Sequence, residues 1–332
     1  MKEKKSVLVT GGAGYIGSVL VRKLIAQNFN VKIIDSLIYG NDGIKDILSH
    51  ESLKLIEGDI RNNSLLEDEL KNIDYVVHLA SIVGEPLCKK IPESAKQINE
   101  FATKSLVDLS KKHHIQRFIY SSTCSNYGST FDLVDEKNTL QSLSLYSETK
   151  VNSEKIILEA KDSEFHPCVL RFATAFGLSP RMRFDLLLQE FIRDAVVDKK
   201  MIIFGSTYWR PLVHVDDISN AIILSLNSPL EHISGEIFNV GETQQNYTKI
   251  ELAKIVQSFL PLSKIEIQDS KIDPRNYKVS FDKIKNKLGF KITKTVHDGT
   301  AEIVEKINNN LLNPRDSEFS NISKQTENVK IY

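Results

Sequence analysis

The segment SVLVTGGAGYIGSVLVRKLIAQ (6–27) constrains the fold more than any other stretch of this chain. An apolar, β-branched run ends in a glycine-rich turn, and the residues that follow space their apolar side chains at helical period. Gly11, Gly14 and Gly17 stand at G-x-x-G-x-x-G spacing. Lacking side chains, they let the chain turn tightly and let a pyrophosphate approach the backbone and the helix N-terminus at Tyr15 and Ile16. Such a strand, turn and helix open a βαβ unit whose turn binds phosphate.

The alternation continues through the first half. VKIID (31–35), LKLIEGD (53–59), YVVHLA (75–80) and RFIYSS (117–122) read as buried parallel strands, and NEFATKSLVDLSKKH (99–113) reads as one of the helices between them. Repeated this often, the pattern predicts an α/β fold: a Rossmann-type, doubly wound parallel sheet with helices on both faces. CVLRFATAFG (168–177) is expected as a sixth strand leaving that sheet. Helices are then expected at 185–198, 218–226 and 249–260, and strands at 201–205, 211–215 and 236–241. The expected organisation is a dinucleotide-binding domain over 1–174, to which some segments of 211–241 return, and a smaller α/β substrate-binding domain over 175–312. The polar, aperiodic residues 313–332 are expected as a peripheral or disordered tail.

Asp35 ends the second strand, where a carboxylate can accept both hydroxyls of an adenosine ribose and would repel a 2′-phosphate. That favours NAD over NADP. Asp59 and Ile60, after the third strand, either embrace the adenine or lie in a solvated loop.

Lys+Arg and Asp+Glu balance at 43 each, so no global basic field is available to hold a nucleic acid, and no aromatic platform accompanies one. Anion recognition must be local. Cys88, Cys124 and Cys168 lack metal-ligand spacing, so no metal is expected, and their sparse, odd number fits a reducing compartment. The N-terminus shows no secretory pattern, and apolar runs such as 221–226 are too short to span a bilayer. A cytoplasmic enzyme without membrane contact is the expectation.

Tyr146 and Lys150 lie four apart in YSETK, on one face of a predicted helix. A free phenol, with a pKa of about 10, is a poor base at neutral pH. An adjacent ammonium, aided by the positive nicotinamide ring, is expected to lower that pKa so that Tyr146 can take a proton from a sugar hydroxyl. Taken alone, Y-x-x-x-K is equally a surface helix pair. The stretch YSSTCSNYG (120–128) adds Ser121, Ser122 and Thr123 at the carboxyl end of a strand, where such sheets bind ligands.

With TGGAGYIG (10–17), Asp35, GDIR (58–61), HLAS (78–81), Asn99, YSSTCSNYG and YSETK in this order, the chain resembles the extended short-chain dehydrogenase/reductase family, whose members act on nucleotide-sugars. RFATAFG (171–177), WRPLVHVDD (209–217), FNVGE (238–242) and DPRNY (273–277) carry the resemblance to about residue 312. It implies Thr123 as hydroxyl partner, Tyr146 as base/acid and Lys150 on the nicotinamide ribose. It also implies Leu79, Ala80, Ser81, Asn99 and Ser121 near the cofactor, with Val83, Cys124, Ser125 and Thr174 near the sugar. Arg210 and Arg275 match arginines that grip a nucleotide pyrophosphate, which needs delocalised donors.

Family 4,6-dehydratases place an Asp-Glu pair directly after the catalytic threonine. Here Cys124 and Ser125 follow, which disfavours dehydration; Cys124 is expected as a small wall residue rather than a nucleophile. A 4-epimerase and a 4-dehydrogenase remain. SIVGEPLCKK (81–90) with FGLSPRMRFDLLLQEF (176–191) resembles the GDP-heptose 4-dehydrogenase type, and its Arg181 and Arg183 either reach the nucleotide or form a basic loop in solvent. Hydride transfer at a hexose or heptose hydroxyl, expected at carbon 4, is the reading. A keto-reductase and a non-catalytic NAD-binding sensor are the alternatives; retention of both Tyr146 and Lys150 argues against the sensor. By analogy, a homodimer is expected through helices 99–113 and 147–160, with Ile156 and Ile157 as spare apolar positions.

Overall fold

Each apolar run of the first half becomes a strand of one parallel sheet. The structure, a computed structural model, describes residues 4–268 and 275–321. Strands β1 (Ser6–Thr10), β2 (Asn30–Asp35), β3 (Leu53–Glu57), β4 (Tyr75–His78), β5 (Arg117–Thr123), β6 (Ser129–Val134), β7 (His166–Phe172), β8 (Thr174–Phe176), β9 (Lys200–Phe204), β10 (Trp209–His214), β11 (Glu236–Val240), β12 (Asn246–Thr248), β13 (Lys264–Gln268) and β14 (Asn276–Val279) follow in chain order. The main sheet has seven strands in the order β11-β7-β5-β4-β1-β2-β3, all parallel. The order reverses between β1 and β4, which opens a crevice at the carboxyl ends of the strands.

The helices are α1 (Tyr15–Ala26), α2 (Asn63–Glu69), α3 (Glu85–Lys90), α4 (Pro92–Lys96), α5 (Ala102–Lys112), α6 (Leu145–Glu159), α7 (Leu187–Val197), α8 (Val215–Asn227), α9 (Leu230–Ile233), α10 (Lys249–Phe259), α11 (Asp282–Leu288) and α12 (Val296–Asn308). Alternation along β1 sends Val7 and Val9 to one face, against Leu20 and Leu24 of α1 and Ile222 of α8. Leu8 points to the other face, with Leu66 of α2, Leu106 of α5 and Ile157 of α6. A third core joins α7, α10, α12, β9 and β10 through Leu188, Phe191, Met201, Leu252 and Ile303.

Three expectations change. The run 168–177 breaks at Ala173: β7 stays in the main sheet, and β8 pairs in parallel with β10 of a separate three-stranded sheet. Its apolar character persists because both halves are buried, so hydropathy alone does not reveal the change of sheet. Ile157 is fully buried in the core and is not a spare surface position; Ile156 is half-buried. The chain at 313–321 is seated: a 3-10 turn at Ser317–Phe319 places the Phe319 ring 6.2 Å from that of Phe184. Residues 322–332 lie outside the described residues, as do Asp273 and Pro274 of DPRNY. No described helix is long and apolar enough to cross a membrane, and no described cluster of His, Cys, Asp and Glu could hold a metal ion.

Candidate active site

The glycine turn forms the floor of the crevice. Gly11 adopts φ +74, and a Cβ there would lie 2.8 Å from the Ala80 amide nitrogen; a Cβ on Gly17 would lie 2.3 Å from the Gly11 carbonyl oxygen. Only glycine permits this turn between β1, β4 and α1. Gly14 is the N-cap of α1, and no side chain caps the first turn, leaving its N–H groups for an anion. Asp35 Oδ2 accepts from Ala13 N (2.9 Å) and Oδ1 from Leu37 N (2.9 Å), so the carboxylate also braces the turn. Burial raises its pKa, against these two N–H donors and the charge of Arg181.

From here one cleft of about 1360 Å³ runs past β4 and β5 to α7. A pocket for one small ligand holds about 300–1,000 Å³, so there is room for two large ones side by side. Gly11, Gly14, Tyr15, Ile16, Gly17, Asp35, Asp59, Ile60, Leu79, Ala80, Ser81 and Ser121 line its first half. Val83, Thr123, Ser125, Tyr146, Lys150, Thr174, Arg181, Arg183, Arg210 and Arg275 also line it.

Two expected residues do not reach this wall. Asn99 is buried in a π-helical turn (Gln97–Phe101). Its Oδ1 accepts from Ile82 N (2.7 Å) and Ser81 Oγ (2.9 Å), and its Nδ2 donates to Ile82 O (3.0 Å). It therefore supports the loop behind the cleft. Cys124 is fully buried on the far side of its turn, its thiol facing the Arg171 carbonyl at 3.2 Å. Burial raises its pKa, leaving a neutral thiol without access to the cleft.

β5 ends in the hydroxyl row. Thr123 Oγ1 and Ser125 Oγ are 3.0 Å apart, and Ser125 N donates to Thr123 Oγ1 (3.1 Å). A capping box at Ser144 and Ser147 starts α6, which brings Tyr146 and Lys150 into the cleft one turn apart. Lys150 Nζ donates to Ser121 O (2.9 Å) and lies 4.8 Å over the Tyr120 ring. Burial lowers its pKa to about 8, opposed by Cys88 and Glu154. The Tyr146 phenol is raised above its ordinary range by burial and by Cys88, and the opposing cations are Arg183 and Arg275. The sequence pointed to Lys150 as the group lowering the phenol. Burial outweighs the neighbouring cations, so the phenol stays above its ordinary range.

The arginines that line the cleft are anchored in different ways. Arg181 stacks on Tyr39 (4.4 Å) of the loop after β2, and Ser179, in the loop after β8 with Arg181, donates to the Tyr15 carbonyl (2.7 Å). This stitches Arg181 to the side of Asp35 and the glycine turn. Arg183 instead pairs with Asp185 in bidentate geometry, Nε to Oδ1 at 3.0 Å and Nη2 to Oδ2 at 2.8 Å. Arg210 Nη1 donates to the Arg275 carbonyl (2.6 Å), tying β10 to the chain entering β14. Arg181 is buried and Arg183 nearly so, and neither forms a basic loop in solvent.

Beneath the hydroxyl row, the buried Glu154 of α6 accepts from Ser122 Oγ, Asn126 Nδ2 (3.0 Å) and Arg171, whose Nη2 lies 2.6 Å from Oε2. Sequence reasoning passed over this pair, although Glu154 repeats the four-residue spacing of Tyr146 and Lys150. Tyr39, Lys249 and Asn321 also line the cleft, and no motif marked them; Glu85, within SIVGEPLCKK, lines it too.

A dinucleotide-binding crevice that also receives a tyrosine and a lysine from one helix, with hydroxyls from the neighbouring strand, is the arrangement of a hydride-transferring oxidoreductase fold. Residues 7–241 match the model of the NAD dependent epimerase/dehydratase family, and the chain belongs to that family. It is 28% identical over 311 residues to a putative UDP-glucose 4-epimerase of Methanocaldococcus jannaschii, covering 92% of this chain and 99% of the relative. An uncharacterised UDP-glucose epimerase of Bacillus subtilis is 32% identical over 251 residues, covering 72% of this chain and 77% of the relative. Among solved structures, a UDP-glucuronic acid 4-epimerase from Bacillus cereus, in complex with UDP-glucuronic acid and NAD, superposes with a TM-score of 0.82. That likeness carries 26% identity over 92% of this chain and 99% of the other. This chain is accordingly an NAD-dependent enzyme of nucleotide-sugar chemistry, of the extended short-chain dehydrogenase/reductase type.

Proposed function

We propose that this enzyme is a 4-epimerase of a nucleotide-activated hexose or heptose. The observation that carries the proposal is the shared cleft: Thr123, Tyr146 and Lys150 face the space next to the glycine turn, and Cys124 with Ser125 replaces the acid pair of a dehydratase. The likeness to a putative UDP-glucose 4-epimerase and to a UDP-glucuronic acid 4-epimerase supports it.

In this reading residues 1–174, with β11, hold NAD, and residues 175–312 hold the nucleotide-sugar. The first turn of α1 faces the pyrophosphate of NAD, Asp35 the adenosine ribose, Asp59 and Ile60 the adenine, and Lys150 the nicotinamide ribose. NAD supplies the hydride acceptor and, in the return step, the hydride donor. Thr123 and Ser125 fix the oxygen of the reacting hydroxyl, and Tyr146 Oη takes its proton as the C–H bond breaks. A positive nicotinamide ring held beside Tyr146 would oppose the burial that keeps the phenol protonated. In the return step Tyr146 gives the proton back to the carbonyl oxygen of the keto-sugar. Arg183, Arg210 and Arg275 bind the diphosphate of the sugar nucleotide. Arg181, by its place beside Tyr39, serves the cofactor half.

The second reading, a 4-dehydrogenase, is favoured by SIVGEPLCKK and FGLSPRMRFDLLLQEF. One experiment separates the two. Incubation with UDP-glucose, dTDP-glucose and GDP-mannose is followed by carbon-4 configuration in NMR and by absorbance of bound NADH. Inversion without net NADH supports the epimerase. A 4-keto product with stoichiometric NADH supports the dehydrogenase, and no change at carbon 4 of any of the three would overturn both.

A further inference from the structure

The segment 313–321 carries no motif, yet its end enters the wall of the cleft. Phe319 packs against Phe184, whose N–H donates to the Phe319 carbonyl at 2.7 Å. Two residues further, Asn321 N donates to Asp185 Oδ2 (3.3 Å), the same oxygen that accepts from Arg183. A chain of contacts thus runs from the segment through Asp185 to Arg183, whose side chain is nearly buried (11% exposed). Asn321 is buried, lines the cleft, and has an Oδ1 without a hydrogen-bond partner among the described residues.

A buried amide oxygen without a donor is costly, and a ligand in the cleft can supply one. Sugar hydroxyls are donors; phosphates are not. Arg183 needs its bidentate carboxylate to hold one orientation, because an arginine anchored at a single nitrogen can swing away from a diphosphate.

We propose that residues 316–321 form a strap that completes the nucleotide-sugar subsite: it holds Arg183 in place through Asp185 and presents the Asn321 amide to a hydroxyl of the sugar. The proposal rests on the reading of the cleft as a nucleotide-sugar site. On this proposal the strap acts on the nucleotide-sugar and leaves NAD binding unchanged. Phe319 and Asn321 act in different ways. Phe319 is a positioning residue, and Asn321 is a contact.

The test uses the full chain loaded with NAD, comparing wild type with Phe319→Ser, Phe319→Leu and Asn321→Ala. Binding of UDP, GDP, dTDP and UDP-glucose is titrated by calorimetry, and NAD affinity is measured on the cofactor-free protein. For the nucleotide that wild type binds, Phe319→Ser is expected to weaken affinity about tenfold, the scale of one charge-assisted hydrogen bond. NAD affinity should stay within about twofold, and Phe319→Leu should restore binding. If UDP is that nucleotide, Asn321→Ala should weaken UDP-glucose but not UDP. Unchanged nucleotide affinity in Phe319→Ser, or unchanged UDP-glucose affinity in Asn321→Ala, would overturn the strap, as would equal losses for NAD and nucleotide. Should Phe319→Ser fail to fold, Asn321→Ala decides. If wild type binds none of the four probes, the nucleotide-sugar reading itself falls and takes the strap with it.

Discussion

Lys150 shows how one side chain is pulled in opposite directions. Burial lowers its pKa from 10.5 to about 8, while the Ser121 carbonyl and the Tyr120 ring hold the ammonium. Between those two values the unfolded chain binds more protons than the folded one, so the lysine's contribution to stability rises with pH across that window. A Lys150→Met variant, cofactor-free, is therefore expected to be relatively most stable against wild type below pH 8. Its advantage should shrink towards pH 10.5, by at most about 1.4 kcal/mol per pH unit. Chemical denaturation at several pH values measures this, and a pH-independent difference would contradict it. Tyr146→Phe removes the proton carrier without changing the volume of the helix. It should keep NAD affinity within about threefold and lose at least about 10²-fold in kcat, the usual range for one acid/base group. Retained turnover in that variant would point to another base. Both residues were legible from their spacing, but the height of the phenol's pKa was not, because burial is set by residues distant in the chain.

α6 links the catalytic pair to the strand bearing the hydroxyls. Its Glu154 is clamped by Arg171 of β7, by Ser122 of β5 and by Asn126 of the turn after it. The pair is almost wholly buried, so removing one partner strands the other charge. Arg171→Met should destabilise the protein by about 3–5 kcal/mol, and Arg171→Met with Glu154→Leu should recover much of that loss. Thermal melts of the single and double variants check it; an additive double variant would show that the two do not act as a unit. The sequence made the helix visible through periodicity. It did not show the pair, since a glutamate on a helix and an arginine on a strand are ordinary until the fold brings them together. The break at Ala173 is similar: a continuous apolar run hides a change of sheet that is decided by which strand lies alongside.

At the scale of the molecule, α5 and α6 lie side by side, and the turn before α5 exposes Phe101 at 52%. We expect a second copy to cover this face, giving a homodimer. Multi-angle light scattering at micromolar concentration should report about twice the 37.6 kDa of one chain, and a Phe101→Glu variant should shift it towards the monomer. A wild-type monomer would remove the expectation.

By itself, the sequence determined what neighbours in the chain decide: the glycine turn, the period of each helix and strand, and the spacing of Tyr146 and Lys150. These follow from backbone sterics and from which face of each element is apolar. Only the tertiary structure decided that β8 leaves the main sheet for β10, that Glu154 meets Arg171, and that Asn321 reaches the wall of the cleft. Those outcomes depend on contacts between residues as much as 136 positions apart, as with Asp185 and Asn321, whose pairing no local pattern encodes.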